Sequence, residues 1–102
     1  MAKKIVELSS KRKVELKEMS IDEIDFCQDI ISLKMDDGDV SYISGVSKSR
    51  TAWLRRGISG GDFKKYEADA NEYPVDSVLK QLSDAEKNEL SKLIQEHQSL
   101  GE

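Results

Sequence analysis

Two short segments at the amino end, KKIVEL (3–8) and KVELKEM (13–19), alternate apolar with charged residues and are separated by SSKR. That pattern predicts a β-hairpin with a four-residue connection. In the second segment Val14 and Leu16, extended by Glu18, share one face, and Lys13, Glu15 and Lys17 share the other, the period-two signature of a half-covered strand. The first segment alternates less cleanly because Ile5 and Val6 are adjacent.

The period then changes. In SIDEIDFCQDIISLKM (20–35), Ser20 and Glu23 have the spacing of a capping box, in which the hydroxyl accepts from an early helix amide and the glutamate returns to the cap amide. Ile21, Ile24, Cys27 and Ile31 form one stripe and Phe26, Ile30 and Leu33 an adjoining one, a wide apolar surface for the hairpin to cover. Asp36, Asp37 and Gly38 are expected to stop this helix. Val40, Tyr42 and Ile43 fit either a short strand or a helical turn, with Gly45 interrupting either. From Ser47 as a cap, SKSRTAWLRRGI reads as a helix with Arg50, Trp53 and Leu54 close together, and Gly57 ends or kinks it.

SGGDFKKYEADANEY (59–73) has no strong periodicity and is long for a connection, so a flexible loop is expected. Pro74 suits the first turn of a helix through VDSVLKQL. Ser83 and Glu86 repeat the capping-box spacing, and Leu90, Leu93, Ile94 and His97 follow at helical intervals toward Leu100, with Gly101 placed to end the helix. The expected fold is α+β: an N-terminal β-hairpin (1–19) packed on a mostly helical domain, with a helical core (20–58), a flexible loop (59–73) and C-terminal helices (74–102). The 102 residues are read as a single domain.

Composition narrows the function. A formal net charge of -4 gives no general attraction to nucleic acid or to an anionic membrane. With 37% hydrophobic and 6% aromatic residues, the core should be modest and aliphatic. One cysteine, Cys27, cannot form an internal disulfide and fits a small buried position. The sequence shows no apolar run of signal-peptide or membrane-spanning length, so a soluble, intracellular protein is expected.

Candidate chemistry is sparse. Placing Gly38 at the sixth position of a calcium-binding loop puts Leu33 at the first ligand position, so MDDGDV does not fit calcium. His97 is the sole histidine and no Cys or His stands at zinc-ligand spacing. No lysine-bearing phosphate loop or dinucleotide fingerprint follows the glycines of GISGGD. Neither a catalytic group, a metal nor a cofactor is therefore expected. Lys48, Arg50, Arg55 and Arg56 beside Trp53 leave one rival open: a small nucleic-acid-binding regulator using a basic helix over 47–56. The acidic balance of the chain disfavours it.

Three pieces of the sequence, KKIVELSSKRKVELKEMSIDEID, RTAWLRRGISGGD and the acidic helical end LSDAEKNELSKLIQEHQSLGE, occur in an order that resembles the small tail assembly chaperones of long-tailed bacteriophages. The resemblance implies a non-enzymatic protein of the host cytoplasm, absent from the mature virion. Such proteins bind the long helical tape-measure protein, keep it soluble and help recruit tail-tube subunits. On that reading Trp53, Leu54 and Ile58, with the stripe Leu90, Leu93, Ile94 and His97, are expected to form a client groove or a surface for self-association. Trp and Arg are frequent interface anchors, which favours Trp53 with Arg50 or Arg55.

Overall fold

The computed structural model describes the backbone of residues 3–35 and 39–99, and the side chains of 3–30 and 47–98. Seven elements follow one another: β1 (Lys4–Glu7), β2 (Lys13–Leu16), α1 (Ile21–Met35), α2 (Asp39–Gly57), β3 (Ile58–Gly61), α3 (Asp76–Leu79) and α4 (Asp84–Ser99). The fold is α+β with an N-terminal hairpin. The expected stop at Asp36, Asp37 and Gly38, the rejected calcium loop there and the expected end at Gly101 lie outside the described residues, as do the side chains of Ile31 and Leu33.

The hairpin forms as its alternation requires. Val6 pairs with Val14 and Lys4 with Leu16, and Val14 and Leu16 are fully buried while Lys13 stays in solvent. At the turn Leu8 N–H donates to the Arg12 carbonyl at 2.8 Å, and Lys11 takes a positive φ of 78°. Both capping boxes are made. Glu23 N–H donates to Ser20 Oγ at 3.2 Å and Ser20 N–H to Glu23 Oε1 at 2.9 Å; Glu86 N–H donates to Ser83 Oγ at 3.1 Å and Ser83 N–H to Glu86 Oε1 at 2.9 Å. Each satisfies two amides that a helix start leaves without partners.

Five expectations are corrected. The helix carrying Trp53 begins at Asp39 rather than near Ser47, so residues 40–46 are helical and Gly45 does not interrupt them. The glycine stretch after Gly57 is a third strand: β3 pairs antiparallel with β2 in the order β1-β2-β3, with a bulge at Glu15/Leu16. A Cβ on Gly61, whose φ is 132°, would stand 2.6 Å from the Lys13 carbonyl oxygen, so that glycine lets two backbones touch. On α1, Cys27 is buried, but Ile21 and Phe26 are 76% and 50% exposed and belong to no covered stripe.

The fourth correction concerns 59–73, expected as a loop throughout, which begins with β3 and continues as a hydrogen-bonded segment. Beyond β3, Lys64 N–H donates to Gln81 Oε1 (2.9 Å) and Gln81 Nε2 to the Lys64 carbonyl (2.8 Å). Asp69 Oδ1 accepts from Asn71 and Tyr73 amides, and Ala68 bridges Pro74. Tyr73 Oη donates to Glu23 Oε2 at 2.6 Å, tying the segment to the start of α1. The helix expected through residues 75–82 is the single turn α3. Side chains of β2, α2, β3, α3 and α4 meet in one core containing Leu16, Trp53, Leu54, Ile58, Leu90 and Ile94. Gly57, where α2 ends, permits this closeness: a Cβ there would lie 2.5 Å from Ile94 Cγ2.

Candidate partner-binding groove

α4 is fastened to the hairpin at both ends. Near its start Glu86 Oε2 accepts from Ser10 Oγ (2.6 Å) and Arg12 Nε (3.0 Å), while Glu89 accepts from the Ser9 amide at 3.1 Å. Near its end Gln98 Oε1 accepts from the Met19 amide (2.8 Å) and Gln98 Nε2 donates to the Lys17 carbonyl (3.1 Å). The hydrogen bond from Ser10, then those from the Ser83 amide and Arg12, hold the Glu86 carboxyl down to about 2 despite its burial.

Along the half of α4 nearer its C-terminus, beside β1, the two elements leave a groove of about 430 Å³ lined by Lys4, Val6, Leu16, Leu93, Gln95, Glu96 and His97. Its accessible apolar lining is Val6 and Leu93 over a floor formed by the buried Leu16, and Lys4, Gln95 and Glu96 are exposed about it. The alternation of β1 explains the lining: Val6 is half-buried on the side of Val14, whereas Ile5 points to the opposite face and is 68% exposed.

The residues expected to make a partner surface are divided between two fates. Trp53, Leu54, Ile58, Leu90 and Ile94 are 5%, 1%, 0%, 0% and 0% exposed and pack on one another's cluster, so in the folded monomer they offer no groove. The cause is the size of the domain: with so few large apolar residues, the only tryptophan is consumed by the core. Leu93 and His97 occupy another edge of the same stripe, half-buried, and reach the β1 groove. Arg50 donates from Nη1 to Asn88 Oδ1 (3.0 Å) and its Nη2 lies 3.7 Å from Asp84 Oδ1. Arg55 donates to the Pro74 carbonyl (2.8 Å) and to Asp76. The Arg56 guanidinium stacks 4.2 Å from the Phe26 ring centroid and 5.2 Å from that of Tyr73. These arginines tie separate segments of the chain together.

Lys4, Val6 and Leu16 were not anticipated in the site. The adjacency of Ile5 and Val6 was the available signal, since two neighbouring apolar residues in a strand must face opposite sides. A second, more polar depression of about 350 Å³, between α2 and α4, is lined by Ser49, Arg50, Asn88, Ser91, Lys92, Gln95 and Glu96.

Burial pushes the Cys27 thiol up to about 11, so at neutral pH it is a protonated core group. Among the described residues no group of three or more His, Cys, Asp or Glu side chains is placed to hold a metal ion. No helix among them is long and apolar enough to cross a membrane. Comparison with family models, curated proteins and solved structures gives no match.

Proposed function

We propose that the protein is a non-enzymatic assembly chaperone of a long-tailed bacteriophage, whose client is the helical tape-measure protein. In the host cytoplasm it keeps that client soluble, helps recruit tail-tube subunits and is left behind by the mature virion. The sequence resemblance supplies the identity of the client. The observation that carries the reading is the groove between β1 and α4, with Val6, Leu16 and Leu93 among exposed polar side chains. A helix with an apolar stripe aggregates in water unless the stripe is covered, and a groove of this kind accepts successive anchors at helical spacing. The surface is thereby narrowed from the expected set to Leu93 and His97, joined by Lys4, Val6 and Leu16.

The test is co-expression of the tape-measure protein with the wild-type chain and with Leu93→Glu. Wild type should raise the soluble fraction of the client and co-purify with it; Leu93→Glu, still cooperatively folded at the temperature of the assay, should do neither. Equal rescue by a folded Leu93→Glu variant removes the groove from the account. The nucleic-acid alternative has less support, because Arg50, Arg55 and Arg56 are engaged within the chain. Salt-sensitive binding to DNA or RNA that vanishes with these arginines would revive it.

A further inference from the structure

We propose that β1 is also the contact strand of a symmetric dimer, in which two copies pair antiparallel, edge to edge, with Ile5 opposite Ile5 of the second copy. β1 stands at the margin of the sheet and, among the described residues, pairs with β2 alone. Which of its backbone groups point outward follows from the hairpin. The Leu8 amide donates to the Arg12 carbonyl, so that pair bonds inward, and by antiparallel alternation Val6–Val14 and Lys4–Leu16 do as well. The far side of β2 gives the same phase: the Lys13 carbonyl accepts from Asp62 and the Lys17 amide donates to Gly57, so odd-numbered residues of β2 bond toward β3. The amides and carbonyls of Lys3, Ile5 and Glu7 are therefore aimed away from the sheet.

An unpaired edge of this kind is a template for another strand, and the side chains select which one. A two-fold axis perpendicular to the sheet, passing between the two Ile5 residues, sets Lys3 opposite Glu7 of the second copy, and the symmetry repeats that pair. Moving the axis one residue toward the amino end opposes Lys4 to Lys4. Moving it the other way opposes Ile5 to Glu7 and leaves Lys3 without an acid across from it. Only the Ile5-centred register matches charge with charge and covers the 68% exposed Ile5 with its own kind. The arrangement is isologous and closes on itself, giving a six-stranded sheet rather than a fibre. On the other face Lys4 of the second copy comes opposite Val6, at the mouth of the β1–α4 groove.

So short an interface calls for a reversible dimer, with a dissociation constant of roughly micromolar or weaker. Sedimentation velocity of the full chain over a dilution series should pass from dimer to monomer mass. Ile5→Pro removes an outward amide and spares the inward bonds of the hairpin; it should remain monomeric with an unfolding midpoint close to wild type. Lys3→Glu and Glu7→Lys should each weaken the dimer tenfold or more, and the two together should restore it. Ile5→Cys should cross-link to a reducible dimer under mild oxidation, since residues directly opposed in a bonded pair have Cα atoms about 5.5 Å apart. A wild-type monomer throughout the series overturns the proposal. So does a dimer indifferent to Ile5→Pro and to the charge reversals, or one in which Ile5→Cys does not cross-link. The client groove is read separately by Leu93→Glu, a substitution on α4 that leaves the β1 edge unchanged.

Discussion

The four arginines and the lysine pair Lys3 and Lys4 at the start of β1 divide the molecule into a fastened side and an open side. Arg12, 23% exposed, reaches Glu86, the carbonyls of Asp62 and Gln81, and the face of Phe63 at 5.3 Å from its centroid. Arg50, Arg55 and Arg56 make comparable ties to α4, to Pro74 and Asp76, and to Phe26 and Tyr73. At the start of β1, by contrast, Lys3 just before the strand is 58% exposed and approaches Glu15 only at 3.8 Å, and Lys4 stands in solvent beside the groove. A planar guanidinium with several fixed donors joins separate segments; an ammonium on a flexible stem keeps a surface hydrated without committing it. The four arginines thus tie the fold together, while Lys4 stands exposed at the groove.

Removing the central fastening should have the largest effect. Arg12→Ala strips the partner from a buried carboxylate and from two carbonyls, with an expected loss of about 3 kcal/mol in denaturant unfolding. Arg12→Lys should recover only part of it, because one ammonium cannot reproduce the fork. Acid reaches the same joint. The Glu86 carboxyl sits at about 2 in the folded chain against an ordinary 4.5, so its stabilisation is complete above 4.5 and is lost as the pH falls through that value toward about 2. Glu86→Gln should cost about 2 kcal/mol at neutral pH and flatten that part of the stability profile, measured by denaturation at a series of pH values.

Gly57→Ala probes the closeness of α2 and α4. The new methyl would meet Ile94 Cγ2 at 2.5 Å, with an expected cost of about 2 kcal/mol, and Ile94→Val in the same chain should relieve part of it. On the open side the effects should shrink. Leu93→Ala should cost about 1 kcal/mol or less while Leu90→Ala, at 0% exposure, costs about 3 kcal/mol, although the two are three residues apart on one helix. Thermal or chemical unfolding of the pair measures the boundary between core and groove directly.

Local signals were legible. The alternation of Val14 and Leu16 and the spacings Ser20–Glu23 and Ser83–Glu86 report interactions made within a few residues, and each appears in the structure as its pattern requires. β3 was not legible, because ISGG has no alternation and its pairing depends on Gly61 lying against a strand more than forty residues earlier. The segment after it resembled a loop for a similar reason: the bonds that fasten it to the rest of the fold, Arg12 to Asp62, Lys64 to Gln81 and Tyr73 to Glu23, join residues distant in sequence. Within the candidate site, Leu93 and His97 were found because helical spacing marks a stripe. That spacing could not say which edge of the stripe is covered, and Trp53, a residue type shared by cores and interfaces, went to the core.

The central claim is that the open side, and no other surface, meets a helical client. Its most direct test is backbone and methyl NMR of the isotope-labelled chain titrated with an amphipathic helical segment of the tape-measure protein. The expected result is saturable shift changes at Val6, Leu16, Leu93 and His97, with Trp53, Leu54 and the Arg12–Glu86 joint unmoved. Changes centred on Trp53 or on the arginine ties, with the β1–α4 groove silent, would contradict it.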